Sequence, residues 1–350
     1  MSDEFIGGLK ISESFFHEQA EPILAKNFPA LKYSAALIGS GSEVLGVDTS
    51  ISTDHDWRPR FFIFLDDQDF LLLGKDVEKC LRKNLPDTYK DFKTKIQTEK
   101  AGDLRSKFVY TNKTFLKKYL GRELIENLSC LDWLTFDEHR LLGLTSGKVF
   151  RDDSGQLTAL REKFVHYPLD VWRYQIASEW MKIAEEEAFV GRAGEVGDEL
   201  GSKIIATRIV QSLMRLCFLF EKRYAPYSKW FGTGFTKLSA ASQLVPMFQN
   251  VLDAKVWRER EQALSVAYEK MVELLNALKL TPALPTKVKN FHDRPYLVIG
   301  AGEIASAIQA TIQDDKLKKV PLIGSLNQFS DSVVLIENDR LRNKLKALYR

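Results

Sequence analysis

The chain has 350 residues, of which 45% are hydrophobic and 28% charged, and a formal net charge of +3. This size and balance describe a globular protein of two domains with ample length for a hydrophobic core. The near-neutral charge makes no electrostatic case for a nucleic-acid-coating surface, and the apolar runs "FFIFL" and "FLLL" are far too short to span a bilayer.

The two halves differ mildly: 21 Lys/Arg face 23 Asp/Glu through residue 150, and 29 face 24 beyond it. A mildly basic second half suits an anionic ligand in a cleft. Cys80, Cys130 and Cys217 are far apart and odd in number, which argues against a disulfide framework. The N-terminus carries acids and no apolar core of signal-peptide length. Both features give a cytoplasmic expectation.

In chain order, Ser12–Phe28 shows helical spacing, with Ser12 or Ser14 as cap and Pro29 beyond the end. "YSAALIG" is a buried strand or a helix end stopped by glycine. Residues 54–65, "DHDWRPRFFIFL", read as a strand that becomes buried, with Pro59 at an edge or bulge. Lys75–Lys83 is a short helix, Tyr89–Thr98 alternates as a half-exposed strand, and "KFVYTN" is another strand. After "SGKVFRDDSG" long helical periodicities take over. They run in "DVWRYQIASEWMKIAEEEAF", "GDELGSKIIATRIVQSLMRLCFLFEKRY" and "WREREQALSVAYEKMVELLNALKL", with a shorter helix in "EIASAIQATIQDD". The pattern predicts an α+β protein: residues 1–155 mix strands and helices, and 156–350 form a mainly helical bundle.

The stretch "LIGSGSEVLGVDTSISTDHDW", Leu37–Trp57, concentrates the candidate chemistry. Gly39 and Gly41 lack a Cβ, so their backbone amides can approach an anion, and Ser40 and Ser42 add hydroxyl donors. Eleven residues separate Ser42 from Asp54, room for a short helix and a loop. Asp54 and Asp56, two apart on a strand, present adjacent carboxylates to a hard cation that also meets phosphate oxygens. A turn followed by a charged strand edge accounts for the same letters. The GxxxxGK[ST] loop is excluded by the missing lysine, and a dinucleotide fingerprint by Val44 at the third glycine position.

With those residues in view, "GSGSEVLG…DHDW" resembles the nucleotidyltransferase superfamily signature of a hydrophobic residue, G[GS], a spacer and D-x-[DE]. More closely, the chain is similar to the bacterial family called domain of unknown function 4037. The resemblance is carried by "GSEVLGVD", "DHDWRPR", "GKVFRDDSGQLTALREKF", "YPLDVWRYQIASEW", "VGRAGEVGDELGS" and "FLFEKRYAPYSKWFGT". It implies a mixed-sheet nucleotidyltransferase domain followed by a helical domain that completes the nucleotide and acceptor sites. On this sequence Gly39–Ser42 would contact nucleotide phosphates, while Asp54 and Asp56 would hold Mg²⁺ or Mn²⁺. Asp91 or Glu99 is the candidate third carboxylate, although neither sits in a recognisable motif. By the same resemblance Lys229 would meet a phosphate, and Tyr224 or Tyr227 the ribose or base.

The implied reaction moves a nucleoside monophosphate from an NTP, ATP first among them, to a hydroxyl of a small-molecule acceptor. Alternatives are a protein or tRNA acceptor, or a non-catalytic nucleotide sensor. Neither a membrane nor a nucleic-acid partner is expected, and oligomeric state is not legible. "VGRAGEVGDELGS" lines an acceptor site or starts the long helix with Asp198 as a first-turn acid. The five histidines show no metal-ligand spacing.

Overall fold

The structure, a computed structural model, describes residues 5–51, 57–94, 106–122 and 128–349. Asp54, Asp56 and Glu99 lie outside the described residues. The chain divides into two units: Met1–Leu128 with His139–Val165, and Ser129–Glu138 with His166–Arg350.

The first unit opens on α1 (Gly8–Phe15), a π-helical turn (Phe16–Ala20) and α2 (Glu21–Asn27). The helical stretch thus begins four residues before Ser12, because Ser12 is fully buried and accepts from the Arg60 N–H rather than capping. Next come β1 (Ser34–Leu37), α3 (Ser42–Leu45), β2 (Phe62–Phe64) and α4 (Asp67–Asn84), the last capped by Asp66 through the Asp69 N–H. A hairpin of β3 (Thr88–Tyr89) and β4 (Phe92–Lys93) occupies the described part of the strand expected over Tyr89–Thr98, whose residues 95–98 lie outside the described residues. Lys90 and Asp91 turn it with φ of 47° and 67°, a conformation Asp tolerates but rarely advertises. Then follow β5 (Val109–Tyr110) and α5 (Asn112–Leu120). After α6 (Cys130–Thr135) of the second unit, α7 (Glu138–Thr145), β6 (Lys148–Asp152) and α8 (Gln156–Glu162) complete the first.

The main sheet runs β5-β2-β1-β6. β1 is antiparallel to both β2 and β6, and β2 is parallel to β5, so the sheet is mixed. Side-chain alternation assigns the faces. Ala35 and Ile63 join Phe15, Phe16, Leu24, Val77 and Leu81 in one core beneath the N-terminal helices and α4. Phe62 and Phe64 point the other way, their rings 5.5 and 5.2 Å from Phe115 of α5. The register places the exit of β1 beside the entry of β2 and the start of β6, since Ala36 pairs with Phe62 and Leu37 with Lys148.

The second unit is helical apart from one hairpin, so the α+β class expected from the sequence holds. Its helices are α6, α9 (Leu169–Ala184), α10 (Phe189–Glu195), α11 (Glu199–Phe220), α12 (Ser228–Phe235), α13 (Ala241–Asp253) and α14 (Trp257–Ala277). The hairpin of β7 (Lys289–Phe291) and β8 (Arg294–Val298) turns through His292 at φ 55°. α15 (Ala301–Gln309) packs along α9, and short helices follow to the C-terminus. The Trp172 indole N–H donates to the Leu219 carbonyl at 2.6 Å, tying α9 to α11. No described helix is long and apolar enough to cross a membrane.

Two glycines test the packing. A Cβ on Gly147 would lie 2.0 Å from the Leu37 carbonyl oxygen, at a φ of +70°. Gly147→Ala should lose roughly 2–4 kcal/mol from overpacking plus left-handed strain. Gly232, helical and with nothing within 4 Å of its Cβ position, should gain roughly 0.5–1 kcal/mol on substitution by Ala. Chemical denaturation followed by tryptophan fluorescence reads both.

Candidate functional site

The Gly–Ser segment leaves β1 as a turn with φ of 96° at Gly39 and 141° at Gly41, followed by the single-turn α3. Three contacts lock its inner side. The Gly39 N–H donates to the Gly143 carbonyl at 2.9 Å. The Gly39 carbonyl lies so close to Gly143 that a Cβ there would sit 2.4 Å from its oxygen. The Ser40 carbonyl accepts from the Arg60 guanidinium. Arg60 also grips Glu43, with Nε at 3.0 Å and Nη2 at 2.7 Å from the same carboxylate oxygen. Both partners are buried, 6% and 3% exposed.

Peptide planarity converts those contacts into the direction of the amides. In a trans peptide the C=O of one residue and the N–H of the next point oppositely. With the Gly39 and Ser40 carbonyls turned inward, the Ser40 and Gly41 N–H groups turn outward. Among the described residues the N–H groups of Ser40, Gly41 and Ser42 meet no hydrogen-bond acceptor. Ser40 is exposed, and Gly41 and Ser42 are half-buried. Successive N–H groups directed to one side form a concavity suited to an anion. Gly41 has a second reason to be glycine, because a Cβ would fall 2.5 Å from the Glu43 carboxylate and 2.6 Å from Arg60.

The loop after α3 is fastened by Asp48, which accepts from the Gly8 N–H at 2.7 Å and the Trp57 indole at 2.9 Å. Trp57 is buried, with Phe92 packed edge-on at 4.7 Å. Trp57 is therefore fixed to the loop after α3, and Arg60 to the glycine turn itself. Asp91 stands exposed at the tip of the hairpin next to Phe92, its backbone committed to the turn. The sequence alone assigns no role to Glu43, Asp48, Trp57 or Arg60, although all four lie in the motifs "GSEVLGVD" and "DHDWRPR". The available signal was a charged residue in each apolar context, Glu43 before "VLG" and Arg60 before "FFIFL".

Among the described residues no group of three His, Cys, Asp or Glu side chains is arranged to hold a metal ion. Glu43 and Asp48 are both engaged by other donors.

In the second unit, Tyr224 is buried, its ring 4.9 Å from Tyr167 and stacked on His166. Burial raises both tyrosine hydroxyls well above their ordinary pKa. Tyr227 is exposed at the N-terminal edge of α12, and Lys229 is exposed with its ammonium 4.9 Å over Trp230. The segment "RYAPYSKWF" thus presents Tyr227 and Lys229 outward and keeps Tyr224 in the packed interior. "VGRAGEVG" is shaped by packing: a Cβ on Gly194 would meet Trp257 at 2.1 Å. Asp198 starts the long helix, as the N-cap of α11 that accepts from the Gly201 N–H at 2.7 Å, and the first-turn acid is Glu199.

A buried polar network lies beneath that segment. Glu138 meets Arg215 at 3.4 Å, and Arg215 covers the Phe231 ring at 5.3 Å. The Glu138 N–H donates to Asn327, which in turn donates to Asp137. Desolvation, partly offset by Arg215 and the Ala225 N–H, raises the Glu138 carboxyl to about 7. Nothing in the local sequence marks this network, because the partners of Asp137 and Glu138 are distant in the chain.

Comparison with known proteins gives two findings. A family model described as "Domain of unknown function (DUF4037)" matches residues 133–231, a segment that includes Glu138, Tyr167, Arg215, Tyr224 and Lys229 but not the glycine turn. The crystal structure of a nucleotidyltransferase-like protein from Exiguobacterium sibiricum 255-15 is similar at 11% identity and a TM-score of 0.34, covering 76% of each chain. No curated protein matches.

The raised Glu138 pKa fixes a pH dependence. Its preference for the proton stabilises the fold fully below the ordinary value of 4.5, and that stabilisation is lost as pH rises to about 7. The loss is about 3 kcal/mol at about 1.4 kcal/mol per unit. Denaturation curves at pH 5 and pH 7.5 should show it in the parent protein and not in Glu138→Gln.

Proposed function

We propose that the first unit binds the phosphates of a nucleoside triphosphate at Gly39–Ser42 and transfers the nucleoside monophosphate to a hydroxyl of a small-molecule acceptor, releasing pyrophosphate. ATP with Mg²⁺ or Mn²⁺ is the proposed donor. The observation that carries this reading is the pair of inward carbonyls, Gly39 and Ser40, which turns successive N–H groups outward at the end of a buried strand. The similarity to a nucleotidyltransferase-like protein is coarser and concerns that protein's name alone.

In the proposed mechanism the amides of Ser40, Gly41 and Ser42 fix the phosphate oxygens without reorganisation, a contribution suited to a reaction dominated by positioning and charge neutralisation. Asp54 and Asp56 would hold the ion, which neutralises charge on the transferring phosphoryl group when bound. Tyr227 and Lys229 are proposed as nucleotide contacts of the second unit on exposure and charge. Tyr224 would act through packing. The engagement of Glu43 and Asp48 by other donors favours one second reading, a nucleotide-binding sensor that lacks a base.

A turnover assay separates the two. With labelled ATP, Mg²⁺ and cell extract as acceptor source, the protein should release pyrophosphate. Asp54→Asn with Asp56→Asn should reduce that release at least about 100-fold while leaving the denaturation midpoint in place. Tight ATP binding without turnover would favour the sensor, and absence of ATP binding would sink both readings.

A further inference from the structure

The ion pair beneath the turn implies more than support, and the argument rests on the phosphate-binding reading of the turn. We infer that Arg60 is a positioning residue that selects the orientation of the Ser40–Gly41 peptide, and with it whether the turn offers an N–H or a C=O to an anion. Gly41, at φ 141°, has the conformational freedom that a peptide flip requires. Flipped, the Ser40 carbonyl would face outward and the Gly41 N–H inward, replacing attraction for a phosphate by repulsion. The Arg60 guanidinium opposes that state because its donation to the Ser40 carbonyl exists only with the carbonyl turned inward.

Glu43 supplies the grip. Its carboxylate holds both Nε and Nη2 of Arg60, which fixes the plane of the fork and aims it at the turn. The same two residues fill the space a Gly41 Cβ would need, so no side chain at position 41 is compatible with the arrangement. The backbone N–H of Arg60, donated to Ser12 at 3.2 Å, seats the arginine against α1. The residue therefore reaches the ligand only through the peptide it orients.

The test uses the full chain, with Arg60→Met paired with Glu43→Gln so that no buried carboxylate is left unpaired. Mg–ATP affinity is measured by titration calorimetry for the unaltered protein, for Glu43→Gln with Arg60→Met, and for Arg60→Lys with Glu43 kept, together with hydrogen exchange of the Gly41 amide in the nucleotide-free proteins. The Met double variant should weaken binding about 10–100-fold relative to the unaltered protein, the scale of losing a charged hydrogen bond to a buried carbonyl. It should also slow exchange at Gly41 as the N–H turns inward. Arg60→Lys, which retains both a donor for the Ser40 carbonyl and a partner for Glu43, should keep most of the affinity. Equal affinity and unchanged Gly41 exchange in the folded Met double variant and the unaltered protein would overturn the inference while leaving nucleotide binding intact. Absence of ATP binding in the unaltered protein would overturn the phosphate reading itself.

Discussion

The arrangement at the end of β1 depends on one buried ion pair, Glu43 with Arg60. Removing two charges from water is expensive, and such a pair persists only when its geometry is good and its remaining donors are used. Here a further donation goes to the Ser40 carbonyl, so the desolvated charge becomes the clamp of a glycine turn. The surroundings are built for it. Gly8 has no room for a side chain between Glu43 and the Trp57 indole, and Gly41 has none between Glu43 and Arg60. Ser12, the Gly8 N–H and Asp48 then join α1 to both ends of the segment between α3 and β2. The glycines of this motif are explained by the pair and by the inward carbonyls before any ligand is considered.

Parts of this were legible in the letters. "YSAALIG" and "FFIF" are apolar runs, and both are strands of the buried sheet. Lys148–Asp152 gave no such signal, because β6 is half-exposed and its strand character comes from pairing with β1. Two hairpins escaped for a different reason: Lys90, Asp91 and His292 take positive φ without glycine. The glycine turn was visible as composition, whereas the direction of its amides depends on contacts with Gly143 and Arg60, far off in sequence. Tyr224 reads in sequence as one of two candidates for a ribose or base contact, and only the packing of Tyr167 and His166 shows it to be interior.

The second unit follows a different logic. Its helices enclose polar groups that answer to one another: Glu138 to Arg215, Asp137 to Asn327, and Glu179 to Gln328 at 2.7 Å. A carboxyl held near neutral pH by burial, beside an arginine and two buried tyrosines, is an environment that titrates with modest changes around it. The surface above the network carries Tyr227 and Lys229. Both side chains are exposed, whereas the network lies in the packed interior beneath the segment that bears them.

The most direct measurement of the central claim is a titration of ¹⁵N-labelled protein with Mg–ATP, following the backbone amides by NMR. The account predicts the largest shifts at the N–H groups of Ser40, Gly41 and Ser42, with the Gly39 amide, already bonded to Gly143, shifting less. Shifts confined to other segments, with the turn unmoved at saturating nucleotide, would contradict it.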